Sequence, residues 1–323
     1  MMAAALARPL RVTLVVLLVC PGLCDARYQA AVCPSDSMIH PCSCTRVAFG
    51  IRVRCSGIAN EHSLRIILGY LSSYKLNALS LEHINFTLTP DLFDRLEVIE
   101  VKVMESQFRM ENPFELHATG GVSRIEALNV RQSTLDLGDS SLAILQGLRR
   151  VDVVNSAIRV LRRRWFNGMS HLDRLVIEHT KMGSLEDRAL AGLNEVERVV
   201  LKANELKSLR RSYFPELAAR LAHLDFSDNE LTSLPPDMFN NMPVLESVTL
   251  SRNHFQTLSP EPWKPMLGQL QLVKLDENPI DCNGTISWML QGNARHKVVG
   301  TCAAPPNLAG TRISDLDDSR LRR

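Results

Sequence analysis

The segment Leu221-Ala-His-Leu-Asp-Phe-Ser-Asp-Asn-Glu-Leu231 superposes on the segment Leu245-Glu-Ser-Val-Thr-Leu-Ser-Arg-Asn-His-Phe255 at every apolar residue and at one asparagine. Counted from the first residue of each segment, positions 1, 4, 6 and 11 are apolar and position 9 is polar. The same pattern starts at Leu172, Val196 and Leu270, and more loosely at Leu76, Leu96, Ile125 and Leu148, which makes nine units. Successive starts lie 20, 29, 23, 24, 24, 25, 24 and 25 residues apart. A pattern that holds its phase this long is an internal repeat, so the usual division of 323 residues into two domains does not apply.

Those intervals are the period of the leucine-rich repeat. Positions 4 and 6, such as Leu175 and Ile177 or Leu224 and Phe226, alternate with polar neighbours, as a short strand requires when one face is buried. Nine such strands stack into a parallel sheet. Asn204, Asn229, Asn253 and Asn278 fall at position 9, where an amide can satisfy backbone groups that no strand partner reaches. Earlier units carry Ile84, Met104, Ser133, Ser156 and Thr180 there, which predicts a degenerate ladder and less regular turns in the N-terminal half. A second column, Phe93, Phe114, Phe166, Phe214, Phe239 and Trp263, with Leu142 and Leu190 in phase, predicts rings filling the convex half of the core. The extra residues of the long unit fall around His117 to Gly121 and are expected to bulge as a loop.

The expected architecture is therefore an α/β leucine-rich repeat solenoid. It has a curved parallel sheet on the concave face, irregular or short helical return segments on the convex face, and a cap at each end. Residues 1–26 read as a signal peptide: Arg8 and Arg11 precede the apolar run Val12 to Cys20, and Cys24 and Ala26 fit a cleavage site. Residues 27–75 form a cysteine-rich N-terminal cap, 76–277 the repeats and 278–323 a C-terminal cap. No later stretch approaches spanning length, so the mature chain is expected to be secreted, with no membrane span. Cys33, Cys42, Cys44 and Cys55 cluster near one end, and Cys282 and Cys302 near the other, as local staples in an oxidising compartment. Zinc is disfavoured because no His stands at ligand spacing from the first cluster. The sequons at Asn85 and Asn283 agree with secretion.

No motif for nucleophilic, metal or phosphate chemistry occurs, and the nine His are scattered. A non-catalytic role without cofactors is expected. The formal charge of +2 gives no reason to expect nucleic acid. At positions 2, 3, 5, 7 and 8, which should face the concave side, acidic residues modestly outnumber basic ones. Such a mixed face suits an extracellular protein partner better than a polyanion. The candidates are Arg174, Glu178, Arg198, Lys202, Asp225 and Arg252, expected at exposed strand positions in the most regular units. A separate basic cluster, Arg149, Arg150, Arg159 and Arg162, Arg163, Arg164, is a candidate for an anionic glycan.

The cap residues carry a resemblance. Cys33-Pro34, Pro41-Cys42-Ser43-Cys44 and Val53-Arg54-Cys55-Ser56 resemble the N-terminal cap of secreted leucine-rich repeat proteins, which implies bridges Cys33–Cys44 and Cys42–Cys55. Asn278-Pro279, Cys282, Trp288-Met289, Cys302, Pro305 and Leu308-Ala309-Gly310 resemble the C-terminal cap of that family. Gly284 replaces its second cysteine and the fourth is missing, which implies a single bridge. The Pro-Cys-Ser-Cys cap, the following Cys-Ser-Gly and the Leu-rich, helix-like spacer are similar to arthropod proteins related to the non-catalytic subunit of decapod shrimp luciferase. That narrower resemblance implies a stabilising subunit of a secreted enzyme complex.

Overall fold

A computed structural model describes residues 32–316 except 87, 89, 94, 110–123, 138–140, 143, 144, 146 and 291–293. The expected signal peptide, Phe114 and the expected bulge at His117 to Gly121 lie outside the described residues.

The chain enters through helix α1 (Asp36–Ile39) and the hairpin of β1 (Ser43–Val47) and β2 (Gly50–Ser56), followed by helix α2 (Glu61–Leu71). The Asn60 side chain caps α2 by accepting a bond from the Ser63 N–H at 2.9 Å. Its apolar residues Leu64, Ile67, Leu68 and Leu71 recur at helical spacing and are buried. The nine repeat strands then follow: β3 (Lys75–Glu82), β4 (Glu97–Met104), β6 (Ala127–Arg131), β8 (Arg150–Val154), β10 (Arg174–Glu178), β12 (Arg198–Val200), β13 (His223–Asp225), β14 (Ser247–Thr249) and β15 (Leu272–Lys274). With β1, β2 and β16 (Val298–Val299) they form one twelve-stranded sheet, parallel throughout except for β1 against β2. Behind it, β5 (Gln107–Arg109) pairs with β7 (Thr134–Asp136), and β9 (Val160–Leu161) with β11 (Ser184–Leu185). The fold is a leucine-rich repeat solenoid.

Strand register corrects one unit. Leu76, Leu79 and Leu81 pair with Val98, Val101 and Val103, so the fourth-position count for β4 starts at Val98 rather than Leu96. Position 9 of that unit is then Ser106, not Met104. The reason is compositional: Leu96, Val98, Val101 and Val103 are all buried, and an apolar run of that density fits the pattern in two phases.

Position 8 has the same backbone in every unit. His83, Glu105, Gln132, Asn155, His179, Ala203, Asp228, Arg252 and Glu277 all have φ between 47° and 57°. One left-handed residue reverses the in–out alternation of the strand, turning position 8 outward and position 9 inward. The N–H of each of the first eight residues still bonds to the next turn, for example His83 to the Met104 carbonyl and Arg252 to the Asp276 carbonyl. No glycine relieves this conformation, which costs an L-residue about 1–2 kcal/mol.

The inward residue at position 9 relays hydrogen bonds along the solenoid. Asn229 donates to the carbonyls of Leu201 (2.9 Å) and Phe226 (3.0 Å) and accepts from the Leu206 N–H (3.1 Å). Asn253 and Asn278 repeat this arrangement one turn on each. The N-terminal half, expected to be degenerate, has a ladder of its own made from serines. Ser106 Oγ accepts from the Ile84 N–H, Ser133 Oγ from Ser106 and Ser156 Oγ from Ser133. Each hydroxyl donates to the carbonyl two residues before it. Thr180 joins the two halves, its hydroxyl donating to Asn204 Oδ1 at 2.7 Å.

Leucines and valines at positions 1, 4 and 6 fill the sheet side of the core. Phe93, Phe166, Phe214, Phe239 and Trp263 fill the return side, with the Phe239 and Trp263 rings 5.0 Å apart. Return segments are bulkier than strands spaced about 4.8 Å apart, which leaves the sheet on the concave side. Disulfides Cys33–Cys44 and Cys42–Cys55 lie in the N-terminal cap and Cys282–Cys302 in the C-terminal cap. Trp288 closes the last turn by donating Nε1–H to the Leu258 carbonyl at 3.0 Å.

Candidate interaction surface

The solvent face of the sheet is set by the strand period, which sends positions 3, 5 and 7 outward. Over β8, β10, β12 and β13 the register aligns these positions into rows. Position 3 gives Arg150, Arg174, Arg198 and His223. Position 5 gives Asp152, Val176, Val200 and Asp225. Beyond them, position 7 gives Val154, Glu178, Lys202 and Ser227. Three arginines thus stand side by side, and two valines occupy the middle of a charged face.

The structure separates the residues expected to bind a partner. Arg174, Glu178, Arg198 and Asp225 lie on strands of this face. Arg174 Nε meets Asp152 at 3.4 Å. Asp225 Oδ1 is held by the Ser227 N–H (2.9 Å) and hydroxyl (2.6 Å). Lys202 follows the end of β12 and lies 4.0 Å from Asp228.

Arg252 is not at a strand position as expected. It occupies the left-handed turn after β14, on the edge of the sheet. There it grips Asp228 in a two-pronged ion pair and meets Glu277 at 3.3 Å, all three being position-8 residues of adjacent units. Its hydrogen bond to Asp228 raises the Arg252 pKa and holds the Asp228 carboxyl below its ordinary range. Position 8, expected to face outward on the strand, does face outward, but as an edge row past the strand, because the left-handed residue breaks the strand period.

His223 Nδ1 lies 2.8 Å from Ser247 Oγ. Burial, and next the charge of Arg198, push the imidazole pKa down. The neutral ring is therefore favoured at the end of the arginine row.

The six-arginine cluster divides between opposite sides of the solenoid. Arg150 lies on the sheet face, and Arg149 meets Asp173 at 3.6 Å at its margin. Arg162, Arg163 and Arg164 are exposed at the start of a short 3-10 turn (Arg163–Phe166) on the return side, where the Arg163 N–H bonds Glu186. Asn85 is exposed beside a groove of about 600 Å³ lined by His83, Glu105, Gln107, Gln132 and Asn155. Asn283 is half-buried, its Nδ2 donating to Asp281 Oδ2 at 3.2 Å. Among the described residues no group of three or more His, Cys, Asp or Glu is arranged to hold a metal ion, and no helix is long and apolar enough to cross a membrane.

Comparison with known proteins agrees with this architecture. The model of the leucine rich repeat family matches residues 146–206, 195–255 and 219–280. The mouse CD180 antigen is 26% identical over 205 residues, which cover 60% of this chain and 30% of that protein. The trophoblast glycoprotein of Macaca fascicularis is 27% identical over 230 residues, covering 62% of this chain and 54% of that protein. Mouse Toll-like receptor 9 is 26% identical over 180 residues, covering 54% of this chain and 17% of the receptor. The chain thus spans about half or less of the length of these curated relatives. Among solved structures, a chain of the octameric complex of Latrophilin 3, Unc5D and FLRT2 aligns with a TM-score of 0.48 at 15% identity, covering 75% of this chain and 89% of that one.

Proposed function

We propose that this chain is an extracellular, non-catalytic recognition protein that takes a protein partner on the solvent face of its parallel sheet. The observation that carries this reading is the rigid support beneath that face. Each strand from β12 to β15 is followed by a left-handed residue and then a buried asparagine bonded to the turn before it, so the outward side chains lose little freedom on binding. Three disulfides support an oxidising, extracellular location. Arg174, Glu178, Arg198, Lys202 and Asp225 are the proposed contacts; Arg252 belongs to the adjoining edge.

The test is a steric block. Asp225→Asn creates a glycosylation sequon with Phe226 and Ser227 in the middle of the face. Protein secreted from animal cells with this change should carry a glycan there and lose capture of partner from extracellular fluid. Enzymatic release of the glycan leaves an aspartate behind, restores the parent side chain and should restore capture. Capture that persists with the glycan in place would refute the reading.

The exposed run Arg162 to Arg164 supports a second site, for an anionic glycan, on the return side. Its neutralisation should reduce retention on a sulfated column in a salt-dependent way. The luciferase-subunit resemblance supports one specific partner class, a secreted enzyme. Co-purification of a stoichiometric active partner would establish it.

A further inference from the structure

The position-3 row is unfavourable as it stands. Arg150, Arg174 and Arg198 occupy directly paired positions on adjacent parallel strands, and like charges facing one another across a sheet destabilise it. Among the described residues, Arg174 alone of the three has a carboxylate within ion-pair distance, Asp152 at 3.4 Å. Among the described residues Arg150 and Arg198 form no ion pair with any carboxylate, and both are exposed. At about 4.8 Å per strand, the row extends roughly 10 Å. A sheet that serves only to close a core has no need of such a row, since a glutamate at the middle position would leave no two like charges directly paired.

The neighbouring rows decide which anion fits. Asp152 and Asp225 close the two ends of the position-5 row, and Glu178 stands in the position-7 row. A sulfated polysaccharide carries negative charge on every unit, so it would meet these carboxylates wherever it crossed the face. A protein segment can place acidic side chains on the arginines and neutral ones elsewhere. Val176 and Val200, side by side between the aspartates, are 4% and 8% exposed although they point out of the sheet. Their neighbours on the face therefore cover them, and a partner that draws the arginine side chains outward uncovers an apolar floor beside the charged row.

Resting on the recognition role proposed above, we infer that Arg150, Arg174 and Arg198 form the docking row for an acidic segment of a protein partner, with carboxylates ranged over about 10 Å and neutral or apolar side chains between them. Guanidinium groups suit this task because each offers a planar fork of donors matched to a carboxylate. Arg174 exchanges its bond to Asp152 for the partner, while Arg150 and Arg198 gain their first carboxylates. The docked segment crosses the strands rather than adding to them, since every interior strand already has both neighbours.

The probe is a fluorescein-labelled dodecapeptide of alternating Glu and Thr, measured by anisotropy against the whole protein at 50 mM and 150 mM salt. Its controls are the Gln-Thr counterpart and a heparin-derived octasaccharide. Wild type should bind the Glu peptide in preference to the Gln peptide, and more weakly at the higher salt. Arg150→Gln with Arg198→Gln should weaken that binding at least tenfold without lowering the melting temperature. Arg162→Gln with Arg163→Gln, on the opposite side, should change it less than twofold. Absence of binding by wild type, an unchanged affinity in the face variant, or an equal loss in the return-side variant overturns the inference. Tighter binding of the octasaccharide that is lost in the face variant also overturns it, because the row would then serve a glycan. Failure here while the glycan at position 225 still blocks capture refutes the docking row alone, whereas capture insensitive to that glycan refutes the recognition role beneath it.

Discussion

Replacing Asn229 by Ala removes four buried hydrogen bonds at once, and the structure states what each leaves behind. Asn229 is 5% exposed, so water does not reach the freed groups without a local opening. The Phe226 and Ser227 carbonyls keep a donor each, because Asn253 Nδ2 also bonds the first and the Ala203 N–H the second, both at 2.9 Å. The Leu201 carbonyl and the Leu206 N–H lose the bonds Asn229 makes to them. At about 1–3 kcal/mol for each unsatisfied buried group, with partial relaxation, the loss should be about 2–4 kcal/mol. For a chain of this size that corresponds to a fall of roughly 3–7 °C in Tm. Asn229→Ser should do no better. A hydroxyl reaches the position-9 N–H of the preceding turn, as in the serine ladder, but Asn204 N–H is already bonded to the Asp228 carbonyl, and Leu206 N–H stays unpaired. The control is Glu205→Ala, an exposed residue one place after the ladder in its own unit, expected within about 0.5 kcal/mol. The adjacent Asp228 is unsuitable as a control because of its left-handed backbone and its ion pair with Arg252. The assay is urea unfolding followed by circular dichroism. Equal midpoints for Asn229→Ala and Glu205→Ala would refute the ladder argument.

Other outcomes follow from the same geometry. Ala203→Gly should stabilise the protein by about 0.5–1 kcal/mol, since relief of a left-handed φ of 54° exceeds the added chain entropy; a lower midpoint on urea unfolding would contradict this. Joint replacement of Cys282 and Cys302 by Ser should cost about 3 kcal/mol, because the bridge closes a 20-residue separation in the unfolded chain; an unchanged Tm would count against it. The His223 pKa is lowered in the folded state, so the unfolded chain binds the extra proton first as pH falls through the ordinary histidine range near 6.5. The stability contributed by the neutral ring is present above that range and lost below it, and His223→Gln should flatten the slope of stability between pH 7 and 5. Asp228 follows the same sign at lower pH. Its depressed carboxyl stabilises the fold above its unfolded pKa of about 3.9 and ceases to do so as pH falls through the folded value, a loss that Arg252→Gln should abolish.

The repeat period, the aromatic column and the asparagine ladder were legible in the chain because each depends on residues of one kind recurring at one spacing. The serine ladder was not legible, for two reasons. Ser106 was displaced from its column by a valine-rich strand that reads in two phases, and an isolated serine carries less signal than an asparagine. The position-8 edge was hidden for a different reason. Nothing about His83, Ala203 or Arg252 as residue types announces a left-handed backbone, because the surrounding turn imposes it. The arginine row needed the register as well as the repeat: Arg150, Arg174 and Arg198 are 24 residues apart in sequence, but only strand pairing shows them adjacent on the exposed side. In the same way, Arg149 to Arg164 read as one patch until the strand and the return segment were seen to face opposite directions.

The sheet ends differently on its two sides, and this bears on how the protein meets copies of itself. A stack of identical parallel strands is a template, since its last member offers the same bonds to a newcomer that it made to its predecessor. Here one outermost strand, β1, runs against the direction of the stack, so a repeat arriving in the parallel sense finds the wrong spacing of donors and acceptors. At the other side β16 is only two residues long, and the chain beyond it folds back, bridging Thr301 to Arg312 within the disulfide-closed cap. Neither border can propagate the pattern that built the interior. Concentration should therefore lengthen nothing: at high protein loading, scattering should report discrete particles rather than filaments, and removal of a cap should be what turns a finite molecule into a growing one.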